Sequence, residues 1–162
     1  QRALRIAQNL GDRNTQGYVL TNLGHAQMGL GNLTEATTAY RQALDLRREI
    51  GEHHRAIESL AGLAHAYMAQ SNLPRAQAHV EEILAYLENH TLDGIESPSQ
   101  VYLTCYRVLR VNQDPRAQEI LTAAYNLLQE RAAKIEDEKL RCSFLENVAA
   151  NRKVVAAWEG AR

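Results

Sequence analysis

The sequence predicts an all-α fold: an α-solenoid of about three helical hairpins, with a half-repeat helix before them and a capping helix after them. Three observations predict it. The sequence repeats itself at a shift of 40 residues. Apolar residues within each copy recur at helical spacing. Ala, Leu, Gln, Glu and Arg, which lose least on entering a helix, are plentiful, while prolines number only 3.

The half-repeat, 1–12, is visible when QRALRIAQNLGD is written above RQALDLRREIGE, 41–52. Ala3 falls on Ala43, Leu4 on Leu44, Ile6 on Leu46, Leu10 on Ile50 and Gly11 on Gly51. The same register carries through repeat one, 14–52, and repeat two, 53–92. Leu20, Leu23, Gly24, His25, Ala26 and Met28 land on Leu60, Leu63, Ala64, His65, Ala66 and Met68. Asn32, Leu33 and Ala36 then land on Asn72, Leu73 and Ala76. Fixed-period self-similarity of this kind marks a repeat architecture.

Repeat three, 97–135, follows at a shift of about 41 and is more divergent. Ala117, Leu121 and Ala124 take the places of Ala76, Val80 and Ile83, and Cys105 takes the small-residue place of Gly24 and Ala64. The linker before it, 90–98, is longer and holds two turn signals, Asp93-Gly94 and Ser97-Pro98.

Within each copy, Leu20, Leu23, Gln27 and Leu30 follow one helical stripe, and Leu60, Leu63 and Tyr67 repeat it. Gly31-Asn32 and Ser71-Asn72 are short polar breaks, so each copy reads as two antiparallel helices. The first members are expected at about 14–30, 54–70 and 98–111, the second at about 33–50, 73–89 and 115–135. Gly24 with Ala36, and Ala64 with Ala76, are expected where the two backbones approach closely.

These positions resemble the tetratricopeptide repeat: Leu20-x-x-Leu23-Gly24, then Ala36, Tyr40 and Ala43 in one copy, and Leu60, Leu63-Ala64, Tyr67 and Ala76 in the next. The resemblance implies a right-handed superhelix. The period of 40 exceeds the usual 34 of that repeat, as in kinesin light chain and large bacterial signalling ATPases. No proline closes either copy, and Val80 and Ile83 replace the usual aromatic and alanine.

The closing segment, DEKLRCSFLENVAANRKVVAAW at 137–158, resembles the C-terminal end of the repeat region in bacterial STAND-type ATPases and transcriptional regulators. Ser143, Phe144, Leu145, Asn147 and Val148 match an SFL-x-NVP run, with Ala149 where proline is usual. The cap is expected over 137–160. Leu140, Phe144, Leu145 and Val148 are expected to form the apolar face that covers the last hairpin.

By the register of that family, the first helix of each pair lines a concave groove. The groove residues would be Tyr18, Thr21, Asn22, His25 and Met28, then Glu58, Ala61, His65 and Met68, then Tyr102, Tyr106, Leu109 and Arg110. Such a mixture of aromatic, methionine and polar groups suits an extended peptide or a partner helix. The resemblance thus implies a protein-interaction scaffold or sensor module in a larger regulatory protein, working in signal transduction or transcription regulation.

Other classes lack support in the residues. A net charge of -1 offers no basic stripe for nucleic acid. No apolar run nears the roughly 20 residues that span a bilayer. Cys105 and Cys142 stand far apart, which favours a reduced, cytoplasmic setting over a disulfide framework. His25 and His65 recur without a carboxylate or cysteine at metal-ligand spacing, so no metal or other cofactor is expected. Gly29-Leu30-Gly31 lacks the lysine and preceding strand of a phosphate loop, and no catalytic motif is present, so no enzyme activity is expected. The alternative to partner binding is a structural self-assembly module, forming a homodimer through an exposed terminal repeat. Residues 1–10 read as mid-helix and begin with Gln1, so a fragment of a longer polypeptide is expected.

Overall fold

The computed structural model describes residues 2–161. Among them are nine helices and no strand, so the fold is all-α and built of helical hairpins, as the sequence predicts. The chain divides into two compact units, Gln1–Glu96 and Ser97–Arg162.

The first unit holds α1 (Arg2–Asn9), α2 (Arg13–Gly29), α3 (Leu33–Glu49), α4 (His53–Ala69) and α5 (Leu73–Leu87). Each helix packs on the next, and α2 also touches α4 directly. Identical turns set this stacking. The N–H of Asp12, Asn32, Glu52 and Asn72 reaches back five residues to the carbonyls of Ala7, Gln27, Arg47 and Tyr67, at 2.8–3.0 Å. The residue before each adopts a left-handed conformation: Gly11, Gly31, Gly51 and Ser71 have φ of 66, 78, 74 and 59°. These are Schellman endings, which satisfy the last carbonyls of one helix and release the chain into the next. Two of the following helices, α2 and α5, are capped by side chains. Asp12 accepts from the Thr15 N–H at 3.0 Å, and Asn72 from the Arg75 N–H at 3.3 Å.

Close approach between helices is fixed by Tyr40. Its ring is 1% exposed, and a Cβ added at either Gly24 of α2 or Gly62 of α4 would lie 2.4 Å from it. The ring of α3 therefore occupies space that two glycines on two other helices leave open. Gly24 was expected at a close approach; Gly62 has no counterpart in that expectation. Ala36, Ala43, Ala64 and Ala76 are 0% exposed, which lets Leu44, Leu60 and Leu63 pack around them.

The linker after α5 folds onto this unit. Leu92 and Ile95 are buried, Gly94 makes the turn at φ 83°, and the Glu96 N–H donates to Glu58 Oε1 at 3.0 Å.

The second unit holds α6 (Pro98–Val111), α7 (Arg116–Ala133), α8 (Glu138–Glu146) and α9 (Ala149–Gly160). Pro98 stands in the first turn of α6, where its missing N–H costs nothing. The α6/α7 hairpin turns through Gln113 in the left-handed region, again with the five-residue return from Asp114 N to the Leu109 carbonyl. Here the cap differs from the expectation. Leu140 and Val148 remain 63% and 45% exposed, Phe144 and Leu145 are half-buried, and no residue of α8 is buried. The covering helix is α9, which packs against both α6 and α7. Val154 is 0% exposed, and Trp158 stacks on Tyr125 at 4.8 Å between ring centres. The buried residues of the closing segment lie on α9, at Asn151 and Val154. Among the described residues, no helix is long and apolar enough to cross a membrane.

Candidate functional site

In the first unit, the expected groove residues divide by burial. Tyr18 is 49% exposed; Asn22 is exposed, its side-chain amide donating to the Tyr18 carbonyl at 3.2 Å. Met28, His65 and Met68 are half-buried. Thr21 is instead 4% exposed. Its hydroxyl donates to the Gly17 carbonyl at 3.0 Å and lies 3.1 Å from Ser59 Oγ of α4, so it ties α2 to α4. Ala61 is likewise buried.

His25 is exposed at its rim but anchored within. Its Nδ1 lies 2.8 Å from the Tyr40 hydroxyl, with the two rings edge to face at 5.3 Å. Burial lowers the His25 pKa, partly opposed by the Glu58 and Glu96 carboxylates, and burial pushes the Tyr40 hydroxyl well above its ordinary value. The imidazole thus holds the ring that the two glycines surround.

A hollow of about 540 Å³ opens in this unit between the starts of α2 and α4 and the Gly94–Glu96 linker. Of the expected groove residues it gathers Tyr18 and Glu58, and it adds Asp12, Asn14, Thr15, Arg47 and Arg55. Arg47 comes from the C-terminal turn of α3, its side chain 1% exposed and lying along α2, where a Cβ at Gly17 would be 3.3 Å from Arg47 Cγ. Arg55 donates to Asn14 Oδ1 at 2.8 Å. Glu52 stands between the two guanidiniums, 3.6 Å from Arg47 and 3.5 Å from Arg55. Desolvation lowers the Arg47 pKa, against the pull of Glu58 and Glu52. Asp12 is held below the usual carboxylate range by its hydrogen bonds from Thr15.

In the second unit, Tyr102 is half-buried and Arg110 is exposed, whereas Tyr106 and Leu109 are 6% and 0% exposed. Arg110 lies 5.5 Å from the centre of the Tyr106 ring and donates to its hydroxyl at 3.3 Å. These two residues line a second hollow, about 590 Å³, with Asp114 and the end of α9. Hydrogen bonds from Arg116 bring Asp114 down to about 2. Cys105 is 0% exposed, and burial pushes its thiol up to about 12, which makes it a packing residue with little thiolate to offer. Among the described residues, no group of three or more His, Cys, Asp and Glu is placed to hold a metal ion.

Sequence reasoning missed Arg47, Arg55 and Gly62. An arginine in the last turn of a helix reads as an exposed complement to the helix dipole. The register carried the one available signal: at the shift of 40, Arg47 aligns with Ala7 and Leu87, both apolar.

The tetratricopeptide repeat model matches residues 15–89, which span the hairpins α2/α3 and α4/α5. No curated protein matches the chain.

Proposed function

From the tetratricopeptide repeats at residues 15–89, we propose that this chain is a protein-binding module that engages a peptide or protein partner along the α2 and α4 surface of its first unit. Repeats of this family generally mediate protein–protein interaction. The observation that carries the reading is the pairing of α2 with α4 through Thr21 and Ser59. Of the expected groove residues, α2 carries Tyr18, Asn22 and His25, which are exposed, and α4 carries Glu58, His65 and Met68, which are half-buried. Rigid helices presenting aromatic and polar groups in this way suit recognition of an extended segment. A role as the sensor arm of a larger bacterial regulatory protein is supported by the SFL-x-NV resemblance at 143–148.

Asn22→Trp tests the surface without touching the core. Pull-down from source-cell lysate should lose its partner at least tenfold, while the far-UV helical signal stays unchanged. An identical set of captured proteins would retire the assignment.

Self-assembly is the second reading, and one observation favours it. Ile6 and Leu10 of the first unit are 51% and 75% exposed, an apolar edge beside α1. Light scattering of wild type against Ile6→Asp/Leu10→Asp separates the readings: a dimer that becomes a monomer supports self-assembly, and an unchanged monomer removes it.

A further inference from the structure

One buried tyrosine of α4 gathers three cationic or cationisable side chains from the helices beside it. Tyr67 is 4% exposed. Its hydroxyl accepts from Arg41 Nη2 of α3 at 2.5 Å. Its ring stacks on the His79 imidazole of α5 at 5.7 Å between centres, and the Arg75 guanidinium, also of α5, lies 5.4 Å from the ring centre. Both α3 and α5 pack on α4, and Arg48 of α3 pairs with Glu82 of α5, so these groups lie along one seam of the first unit. Arg41 and Arg75 are exposed, and His79 is half-buried.

Stability does not call for this arrangement. Arg41 has Asp45 one turn further along α3, at the spacing of a helical ion pair, yet it reaches to Tyr67 instead. Arg75 and His79 stand at i and i+4 on α5, a spacing at which like charges repel once the imidazole is protonated. Among the described residues, Arg13, Arg48 and Arg55 of this unit pair with Glu49, Glu82 and Glu52, whereas Arg41 and Arg75 have no carboxylate partner. Burial lowers the His79 pKa, and the charges of Arg48 and Arg41 lower it further against the pull of Glu82. Nor does the repeat plan require the cluster. At the shift of 40, Arg75, His79 and Tyr67 correspond to Glu35, Ala39 and Gln27, and Arg41 to Glu81.

The seam thus displays positive charge that the chain itself leaves unneutralised, on side chains held by a single ring. Such a surface is complementary to anions. Its groups do not close on one point. Arg75 and His79 are about 6 Å apart along the axis of α5, and Arg41 comes from α3. A line of donors matches a row of carboxylates better than one compact anion.

We propose that the α3/α5 seam is a docking surface for an acidic segment of a protein partner, whose successive carboxylates engage Arg41, Arg75 and His79 while Tyr67 holds those side chains in place. The surface lies on the second helices of the two hairpins, so it goes beyond the α2/α4 reading and does not depend on it.

The test is a ¹⁵N NMR titration of the chain with blocked hexaglutamate, blocked hexalysine and, separately, inorganic phosphate. Hexaglutamate should move the Arg41 and Arg75 Nε–H resonances, and its binding should weaken several-fold as salt rises from about 0.05 to about 0.3 M. Hexalysine should leave those resonances in place. Arg41→Gln/Arg75→Gln should weaken hexaglutamate binding fivefold or more with the helical signal preserved. Tyr67→Phe, which keeps the ring and removes only the tether to Arg41, should weaken it twofold or more. Unmoved resonances, or a double variant that binds as well as wild type, overturn the proposal. Tighter binding of phosphate than of hexaglutamate would assign the seam to a phosphoryl group and overturn the acidic segment. If hexaglutamate fails while Asn22→Trp still loses its partner, this surface falls and the α2/α4 reading stands.

Discussion

The two hairpins of the first unit share a backbone plan and fill it differently. In α2/α3, the Tyr40 ring is accommodated by removing a Cβ on each side, at Gly24 and Gly62. In α4/α5, the equivalent residues are Val80 and Ala64, both 0% exposed, a smaller side chain with a small neighbour. Further along, Gly17 and Arg47 correspond to Ile57 and Leu87. The turn that ends α2 passes through Gly31, and the one that ends α4 through Ser71. The repeat therefore keeps its backbone plan while the size and identity of the residues at its seams change. Polarity changes as well: buried Thr21 corresponds to Ala61, buried Ser59 to Val19, and Arg47 to Leu87.

The largest effect should come from adding one methyl group beside Tyr40. Gly62→Ala and Gly24→Ala each put a Cβ at 2.4 Å from a ring that is 1% exposed. Urea unfolding should show a loss of about 2–3 kcal/mol for each, despite the better helix propensity of alanine. In a Tyr40→Val background, which imports the solution of repeat two, the same alanines should cost under about 1 kcal/mol. Equal losses in both backgrounds would mean that the ring is not the obstacle.

Arg47→Met should run the other way. Replacing an incompletely paired buried charge with an apolar side chain of similar length should raise stability by about 1–2 kcal/mol, since the desolvation cost disappears. A fall in stability would show that the Glu52 and Glu58 carboxylates stabilise the folded state more than the geometry implies.

A smaller gain, about 0.5–1 kcal/mol, is expected from Ser71→Gly, because Ser71 holds φ 59° where repeat one has glycine. A thermal melt that does not rise would point to a compensating contact of the serine.

The smallest effect concerns pH. Burial lowers the imidazole pKa of His25 and of His79 from 6.5. Below about 6.5 the unfolded chain therefore takes up protons before the folded one does. Stability should decline as pH drops from about 6.5 towards the folded-state values and then level off. Melts at pH 7.5 and 5.5 should show a modest drop in Tm that His25→Asn/His79→Asn shrinks; an undiminished drop would assign it elsewhere.

The hairpins were legible in the sequence because a shift of 40 superimposes Leu20, Leu23 and Ala36 on Leu60, Leu63 and Ala76, and helical period follows directly from such stripes. The close approach at Gly24 was legible from its small-residue register. Gly62 was not, since it aligns with Asn22, a place assigned to an open face. Thr21 and Tyr106 were read as groove residues because one-dimensional register records the face of a helix and not the neighbour opposite. Ser59 meets Thr21, and Tyr106 lies only 6% exposed beside Arg110. The cap segment was recognised from residues 143–148, but the covering helix proved to be the one after it, through Val154 and Trp158.

The ring of Tyr40 has a consequence for how the stack comes apart. Solenoids fray one repeat at a time when each holds its own interior, with neighbours contributing only an interface. Here a side chain of the first hairpin is completed by the backbone of the second, at Gly62. Peeling α4 away would leave an aromatic face wet and a glycine groove empty. Amide protons of α2, α3 and α4 should thus exchange with solvent in one cooperative opening, and the boundary between repeats one and two is no boundary in the energetics.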